Sequence, residues 1–216
     1  MNKTYGLLMS GEMICAYSEL LKSETRRTRG LDVVNKSPDD WQFNGIHKDK
    51  GRIVAVFQNK SGEGALVRPP YGYIGDTLWF KETWKMYERE GDGRDFLHYR
   101  ADNAKVDPDW WTKDDWTRPD PIWHKKNVFE KWQSSMYMPK LCARFKDIPI
   151  LDVSIERLQD ITFNGAYAEG CPLGRALDPI GWYRDLWDRL NGETMPWLKN
   201  QFVWVYKFPK YEGSKA

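Results

Sequence analysis

The stretch PIGWYRDLWDRLNG, residues 179–192, is followed closely by QFVWVYKF, residues 201–208. In the first segment, apolar residues recur at the spacing of one helix face: Ile180, Tyr183, Leu186, Trp187 and Leu190. Pro179 suits the first turn of a helix and Gly192 suits its end. The second segment has the apolar and aromatic composition of a strand. Together they predict a helix followed by a final strand.

Upstream, the hydrophobic pattern predicts a short strand in YGLLMS, residues 5–10, and then a helix over Gly11–Lys22. Turn-forming residues predict a loop over 30–52. The segments RIVAVFQ and ALV, residues 52–58 and 65–67, are predicted to be strands that pair around an intervening turn.

Three further segments complete the order of elements. TLWFKETW, residues 77–84, alternates well enough to be a strand. CARFKDIPILDVSIERL, residues 142–158, predicts one strand or two with a bend near Pro149, and ITFNGAYAEG, residues 161–170, predicts a short helix that ends at Gly170. The order of strand, helix, several strands, two helices and a last strand predicts an α+β fold with a curved or barrel-like sheet.

The chain is long enough, at 216 residues, to bury one substantial core. Residues 103–131 are acidic and rich in Trp, with prolines at positions 108, 119 and 121. We therefore expect a single domain over 1–216 with a Trp-rich insertion or lid at about 103–131.

The amino-acid composition limits where the protein can be located in the cell and which metal or cofactor chemistry it can support. No run approaches the 18 or so apolar residues of a membrane span, and the N-terminus is too polar for a secretory signal, so we expect a cytoplasmic protein. The cysteines and histidines are scattered, without the spacing of a disulfide frame or a metal site: Cys15, Cys142, Cys171, His47, His98 and His124. Walker A, GxGxxG and GxSxG motifs are missing. We therefore expect no metal and no cofactor.

The net charge is only +2, from 33 basic and 31 acidic residues, so any affinity for nucleic acid has to come from local patches. The clearest patch is SELLKSETRRTRG, residues 18–30, where basic and hydroxyl side chains crowd together. Three interpretations are open for it: a solvated helix end, a phosphate site, or part of an active site.

Four blocks carry a resemblance to a known family: KSETRR at 22–27, PYGYIGDTLWFKETW at 70–84, SSMYMPKLCARF at 134–145 and ERLQDITFNGAYAEG at 156–170. With these blocks the chain resembles ASCH domain proteins of the PUA-like superfamily, in the long form common in bacteriophage and prophage genes. The resemblance implies a PUA-like β-barrel flanked by helices, whose cleft is used for RNA or modified bases. For a phage-encoded protein the location would be the host cytoplasm.

The resemblance also implies candidate catalytic residues. Some small ASCH proteins are amidohydrolases that remove the acetyl group of N4-acetylcytidine, while others are described as nucleic-acid binders or nucleases. In the amidohydrolases a Lys and a Thr three positions later work with a Glu from a later helix, and Lys22, Thr25 and Glu169 match these positions. The match departs from the family at Leu20-Leu21, where Gly-Arg is usual.

The chemistry of such a set is coherent. Lys22 and Thr25, three residues apart, can share one side of a helical turn. To act as a base near pH 7, a lysine needs its pKa lowered by roughly 3 units, and burial and neighbouring arginines both act in that direction. Lys22 would then take the Thr25 proton, and Glu169 would protonate the leaving amine or orient Lys22. Glu82 is a second candidate acid.

Candidate residues for base and phosphate contacts are Arg26, Arg27, Arg29, Tyr71, Glu82 and Trp84. Each has a structural alternative: a solvated helix end for the arginines, a paired carboxylate for Glu82, and core packing for the aromatic residues. The resemblance, together with the basic cluster, implies a protein that binds RNA, DNA or a modified nucleoside. An N4-acetylcytidine-type amidohydrolase is the alternative, and a metal-independent ribonuclease is a further one.

Overall fold

The computed structural model describes residues 2–49, 52–88, 95–106, 131–175 and 177–212. Within them the strands are β1 (Thr4–Leu8), β2 (Glu24–Arg27), β3 (Trp41–Asp49), β4 (Arg52–Asn59), β5 (Gly64–Val67), β6 (Thr77–Lys81), β7 (Trp84–Glu88), β8 (Asp95–Tyr99), β9 (Lys105–Val106), β10 (Ile148–Pro149), β11 (Asp152–Arg157) and β12 (Phe202–Lys207). The α-helices are α1 (Gly11–Ser18), α2 (Asp32–Asn35), α3 (Phe163–Ala168) and α4 (Pro179–Asn191). Short 3-10 helices cover Pro38–Asp40, Ser135–Tyr137, Lys140–Cys142, Leu158–Asp160, Leu173–Arg175 and Trp197–Lys199. The predicted α+β class is confirmed.

The chain divides into two compact units. The first draws on residues 1–5, 16–78 and 147–216, and the second on residues 6–15 and 79–146. A single domain with an insertion at about 103–131 stays a prediction, because residues 107–130 of that segment lie outside the described residues. None of the described helices is long and apolar enough to cross a membrane.

The described strands form four three-stranded sheets. The first unit contains the sheets β11-β12-β2 and β3-β4-β5, and the second contains β7-β8-β9. The sheet β1-β6-β10 includes strands with residues in both units. None of these sheets closes into a barrel within the described part of the chain.

The sheet β11-β12-β2 is the centre of the first unit. β12 pairs antiparallel with both neighbours, and its side chains alternate between two buried faces because successive residues of a strand point in opposite directions. Val203 and Val205 face α3 and α4, where they join the buried side chains of Tyr183, Leu186 and Trp187. The predicted final strand and the predicted helix before it are both confirmed.

The predicted loop over 30–52 is wrong, because it contains α2 and the long strand β3. The register of β3 against β4 shifts between Phe43 and Ile46, where Gly45 has φ +106°. A bulge of this kind interrupts the alternation that identifies a strand in the sequence. The predicted pairing of the next two strands, β4 and β5, is confirmed.

Two predicted strands are shorter than expected. TLWFKETW is divided between β6 and β7, because the Glu82 N–H donates to the Met138 sulfur at 3.3 Å instead of continuing the ladder. CARFKDIPILDVSIERL begins with the last residue of a 3-10 helix, and its strands are only β10 and β11. The bend predicted near Pro149 lies between those two strands.

The helix predicted over Gly11–Lys22 ends at Ser18. The Leu20 N–H donates to the Tyr17 carbonyl at 3.1 Å and the Leu21 N–H to the Ala16 carbonyl at 2.9 Å. Leu20 itself has φ +63°. These are the bonds of a Schellman motif, in which the left-handed residue is usually glycine. A leucine gives no sequence signal for this helix end, which is why the helix was predicted to be too long.

We expect Leu20→Gly to raise the free energy of unfolding by about 1 kcal/mol, because glycine adopts a positive φ without the cost that a side chain imposes. Leu20 is 48% exposed, so little packing is lost. Leu20→Ala is the matched control, since it removes the side chain but keeps the strained backbone. Urea unfolding of the three proteins measures the difference. A glycine variant no more stable than the alanine variant would contradict the assignment.

Candidate functional site

Lys22 and Glu169 meet where the chain that leaves α1 passes the end of α3. The two residues form an isolated antiparallel bridge. Beside it, the Ser23 N–H donates to the Ala168 carbonyl at 2.7 Å. A pair of residues 147 positions apart in the sequence is thereby fixed through the backbone as well as through the side chains. Two of the three predicted catalytic residues are in contact.

A glycine makes this close approach sterically possible. Gly170, directly after Glu169, has φ +105°, a conformation that side-chain-bearing residues rarely adopt. A Cβ atom on Gly170 would lie 2.6 Å from the Ala16 Cβ and 3.5 Å from the Lys22 Cβ. The predicted end of the short helix at Gly170 is confirmed, and at this position the backbone packs closely against Ala16 and Lys22.

The side chains form a buried ionic network. The Lys22 ammonium donates to Glu169 Oε2 at 2.5 Å and to the Glu169 carbonyl oxygen at 2.9 Å. Arg26 donates from Nη1 to Glu169 Oε1 at 3.2 Å and from Nε to Glu156 Oε1 at 2.7 Å. Arg26 Nη1 also lies 3.3 Å from Glu24 Oε2. The side chains of Lys22, Glu169 and Arg26 are 0%, 1% and 3% exposed, whereas that of Glu156 is 27% exposed, so the network is buried at Lys22 and Glu169 and reaches solvent at Glu156.

The environment shifts the pKa values of this network. Burial lowers the pKa of Lys22, with Arg27 and Arg26 adding to the effect, and the nearby Glu169 carboxylate offsets only part of it. Burial alone would raise the pKa of Glu169, but the charges of Lys22 and Arg26 outweigh it and lower that pKa. Glu169 is therefore ionised at neutral pH, and Lys22 loses its proton more easily than a lysine in water.

Thr25 does not join this network. Lys22 and Thr25 were predicted to share a helical turn, which is wrong, because both lie beyond α1 and Thr25 belongs to β2. Successive residues of a strand point to opposite faces, so Thr25 faces away from Arg26. Its hydroxyl is buried and has no hydrogen-bond partner among the described residues. No hydrogen bond among the described residues therefore joins the predicted nucleophile to the base or to the carboxylate.

The face of the sheet that carries Thr25 leads to a different group of predicted residues. Tyr206 lies directly opposite Thr25 in the register of β12 against β2. The Tyr206 hydroxyl accepts a hydrogen bond from the Tyr71 N–H at 3.1 Å, and the two rings pack edge to face at 5.8 Å. The Arg29 guanidinium lies 5.8 Å from the centre of the Tyr71 ring, within cation–π range. Arg29 is exposed and Tyr71 is half-buried.

The interpretation of the basic cluster as a solvated helix end is wrong for Lys22 and Arg26. Lys22 and Arg26 are buried, and Arg26 lies on a strand. Arg27 is half-buried and lies opposite Trp204 in the sheet register. The cluster therefore divides into a buried part and a part that approaches the surface, at Arg27 and Arg29.

Glu82 and Trp84 belong to the second unit. Arg144 donates to both carboxylate oxygens of Glu82, at 2.8 and 2.9 Å, and from Nη1 to Asp102 at 2.7 Å. Burial raises the pKa of Glu82, and Arg144 offsets part of that effect. Trp84 is 2% exposed and packs with Met86 in the core of this unit. Both residues show the structural alternative considered for them, a paired carboxylate and a core aromatic residue.

Three residues of the network were missed in the sequence. Glu156 accepts the Arg26 bond, and the Arg26 guanidinium lies 5.7 Å from the centre of the Tyr183 ring. A Cβ atom on Gly165 would lie 2.7 Å from Arg26 Nη2, so glycine makes room for the guanidinium. Glu156 is one of the polar residues that alternate with Val153 and Ile155 along β11. This alternation indicates on which face of the strand Glu156 lies, but it does not indicate which residue it pairs with. The side of α4 that carries Tyr183 was predicted as core.

The described residues of the site carry acid–base groups but no metal-ligand set. Among the described residues, no three His, Cys, Asp or Glu side chains are grouped closely enough to hold a metal ion. The sequence matches no family model, no curated protein and no solved structure. The resemblance to ASCH domain proteins therefore stays a prediction, and the geometry of the site carries the functional argument.

We expect Glu169→Gln to lower the free energy of unfolding by about 3–5 kcal/mol, because it leaves two cations buried without their shared carboxylate. Asp40→Asn is the matched control: Asp40 and Lys60 form an ion pair at 3.4 Å with both side chains largely exposed, where the loss should be small. Urea unfolding followed by Trp fluorescence measures both. Similar small losses in the two variants would contradict a strongly coupled buried network.

Proposed function

We propose that the protein is a PUA-like protein of the ASCH type that binds nucleic acid or a modified nucleoside. The surface at Tyr71 and Arg29 in the first unit would receive the base. The observation that carries this proposal is the cation–π contact between these two residues, at a half-buried ring beside an exposed guanidinium. A base stacks on an aromatic face, and an arginine beside it supplies a contact to phosphate or a second stacking plane.

The support behind Tyr71 favours a binding role. Its backbone N–H is held by the Tyr206 hydroxyl, and the Tyr206 ring packs edge to face against it. Tyr206 is fully buried in β12. An aromatic side chain held from behind by the core loses little conformational freedom when a ligand stacks on it, so more of the stacking energy appears as affinity.

The buried network supports the same role indirectly. Glu169 and Glu156 hold Lys22 and Arg26, and thereby fix β2 against α3 and β11. Arg27 ends that strand, and Arg29 lies two residues beyond it. The network therefore acts as a positioning element for the surface cations and does not itself present charge to a ligand, since its cations are neutralised by carboxylates.

A second candidate function is hydrolysis of an N4-acylated cytidine. The observation that favours it is the full burial of Lys22 against Glu169, and this burial lowers the pKa of Lys22 towards the neutral form that a general base needs. The lowered pKa of Glu169 favours its role in orienting Lys22 over a role as proton donor. Thr25 weighs against this candidate, because its hydroxyl does not form a hydrogen bond with Lys22.

One experiment separates the two functions. We expect the purified protein to bind N4-acetylcytidine or short RNA and DNA oligonucleotides in equilibrium titrations without deacetylating the nucleoside, as followed by chromatography. Tyr71→Ala should weaken binding by about 1–3 kcal/mol, the usual worth of one stacked base. Tyr71→Phe should bind nearly as well as the wild type, because it keeps the ring and the backbone N–H.

The controls match the changes in charge and in chemistry. Arg29→Ala removes one positive charge from the proposed site. Arg184→Ala is its control, because Arg184 lies on α4 with its side chain half exposed and its loss removes the same charge elsewhere. If both variants weakened binding equally, the cause would be the change in net charge, and the proposed site would be contradicted. Turnover of N4-acetylcytidine that is lost in Lys22→Arg, which stays protonated, would establish the hydrolase in its place.

A further inference from the structure

The sheet β7-β8-β9 of the second unit has two faces of different chemistry. Met86, Leu97 and Val106 are neighbours across its three strands and belong to the core around Trp84. The residues between them point to the opposite face, because side chains alternate along a strand. This second face is basic: Lys105 is exposed, Lys85 is partly exposed and His98 is buried.

On that second face, Lys85 lies directly opposite His98, and His98 lies directly opposite Lys105. Adjacent strands are about 4.8 Å apart, so the two lysines lie on the same face within roughly 10 Å of each other. Burial, followed by the charges of Lys85 and Lys105, lowers the pKa of His98. The two lysines therefore bring positive charge to both sides of the buried His98 on this face.

Aromatic rings lie among these cations. The Lys85 ammonium is 4.4 Å from the centre of the Trp132 ring, and the Arg100 guanidinium is 5.9 Å from it. The His98 ring packs against Trp132 at 4.9 Å, and the Lys105 ammonium lies 5.4 Å from the Phe96 ring. Arg100 and Lys105 are exposed.

The basic face is defined by these six residues: Lys85, Phe96, His98, Arg100, Lys105 and Trp132. Its composition combines what single-stranded nucleic acid needs, namely cations for phosphates and aromatic rings on which unpaired bases stack. A duplex offers the phosphates but keeps its bases stacked inside, and an acidic polypeptide offers charge without planar bases. The combination therefore favours single strands over either.

We propose that the basic face of the second unit binds a single-stranded polynucleotide, with bases stacked on Trp132 and Phe96 and phosphates contacted by Lys85, Arg100 and Lys105. It shares the ligand class of the proposed function but adds a second binding surface, on different residues and in a different unit from Tyr71 and Arg29. A short single strand would engage this face whether or not the first unit selects a particular base.

The test uses the full-length protein and a fluorescein-labelled single strand of about 12 nucleotides, within the usual site sizes of single-strand binders, read by fluorescence anisotropy at several salt concentrations. Trp132→Ala should weaken binding roughly five- to a hundred-fold, and Trp132→Phe should recover most of it. Lys85→Ala combined with Lys105→Ala should reduce the slope of log K against log salt by about 1.4, which corresponds to two lost phosphate contacts.

The matched control is Lys48→Ala combined with Lys60→Ala, which removes the same two charges from exposed positions in the first unit. Equal effects of the two double variants would overturn the proposal. The proposal would also be overturned if the wild-type protein bound a duplex, an abasic strand or polyglutamate as tightly as the single strand. Unchanged binding by Trp132→Ala would overturn it as well. Tyr71→Ala separates the two proposals: if it abolishes nucleoside binding but leaves the Trp132 dependence intact, the basic face stands on its own.

Discussion

The contact on which the first unit depends is the buried carboxylate of Glu169, shared by Lys22 and Arg26. Taking a carboxylate and two cations out of water costs several kcal/mol for each ion, and only well-placed opposite charges and hydrogen bonds offset that cost. Glu156 and the Glu169 carbonyl oxygen supply the additional bonds. A network of this kind has one good arrangement and many poor ones, so it fixes β2, β11 and α3 in register as well as holding them together.

The position of this network on the sheet determines what the remaining candidate residues can do. The strand alternation that directs Arg26 towards α3 directs Thr25 to the other face, where Tyr206 connects it to Tyr71. One face is therefore closed and ionic, and the other leads to an aromatic ring and an exposed cation at the surface. Tyr71 is half-buried and Arg29 is exposed, so the binding proposed at this group would leave the buried contacts of Glu169 in place.

Much of the fold is visible in the sequence because it rests on local pattern. The helix α4 has an apolar stripe between Pro179 and Gly192, and Gly170, with a positive φ, follows the end of α3. Errors arose where the local signal is missing: the bulge at Gly45 hides β3, and a leucine occupies the left-handed position that ends α1. The second error extended the predicted helix to Lys22 and suggested that Lys22 and Thr25 share one side of a helical turn. The Lys22–Glu169 contact was expected from family resemblance, whereas Glu156 and Tyr183 were missed because their partner Arg26 is distant in sequence.

The most direct test is the protonation of Lys22, followed by NMR in protein with labelled lysine side chains, with its resonance assigned by its absence in Lys22→Met. A buried lysine beside Glu169 should titrate below the ordinary lysine pKa. In Glu169→Gln the pKa should fall further, because the carboxylate that favours the ammonium is lost. A Lys22 resonance that titrates like the exposed lysines, and does not respond to Glu169→Gln, would contradict the buried ionic network.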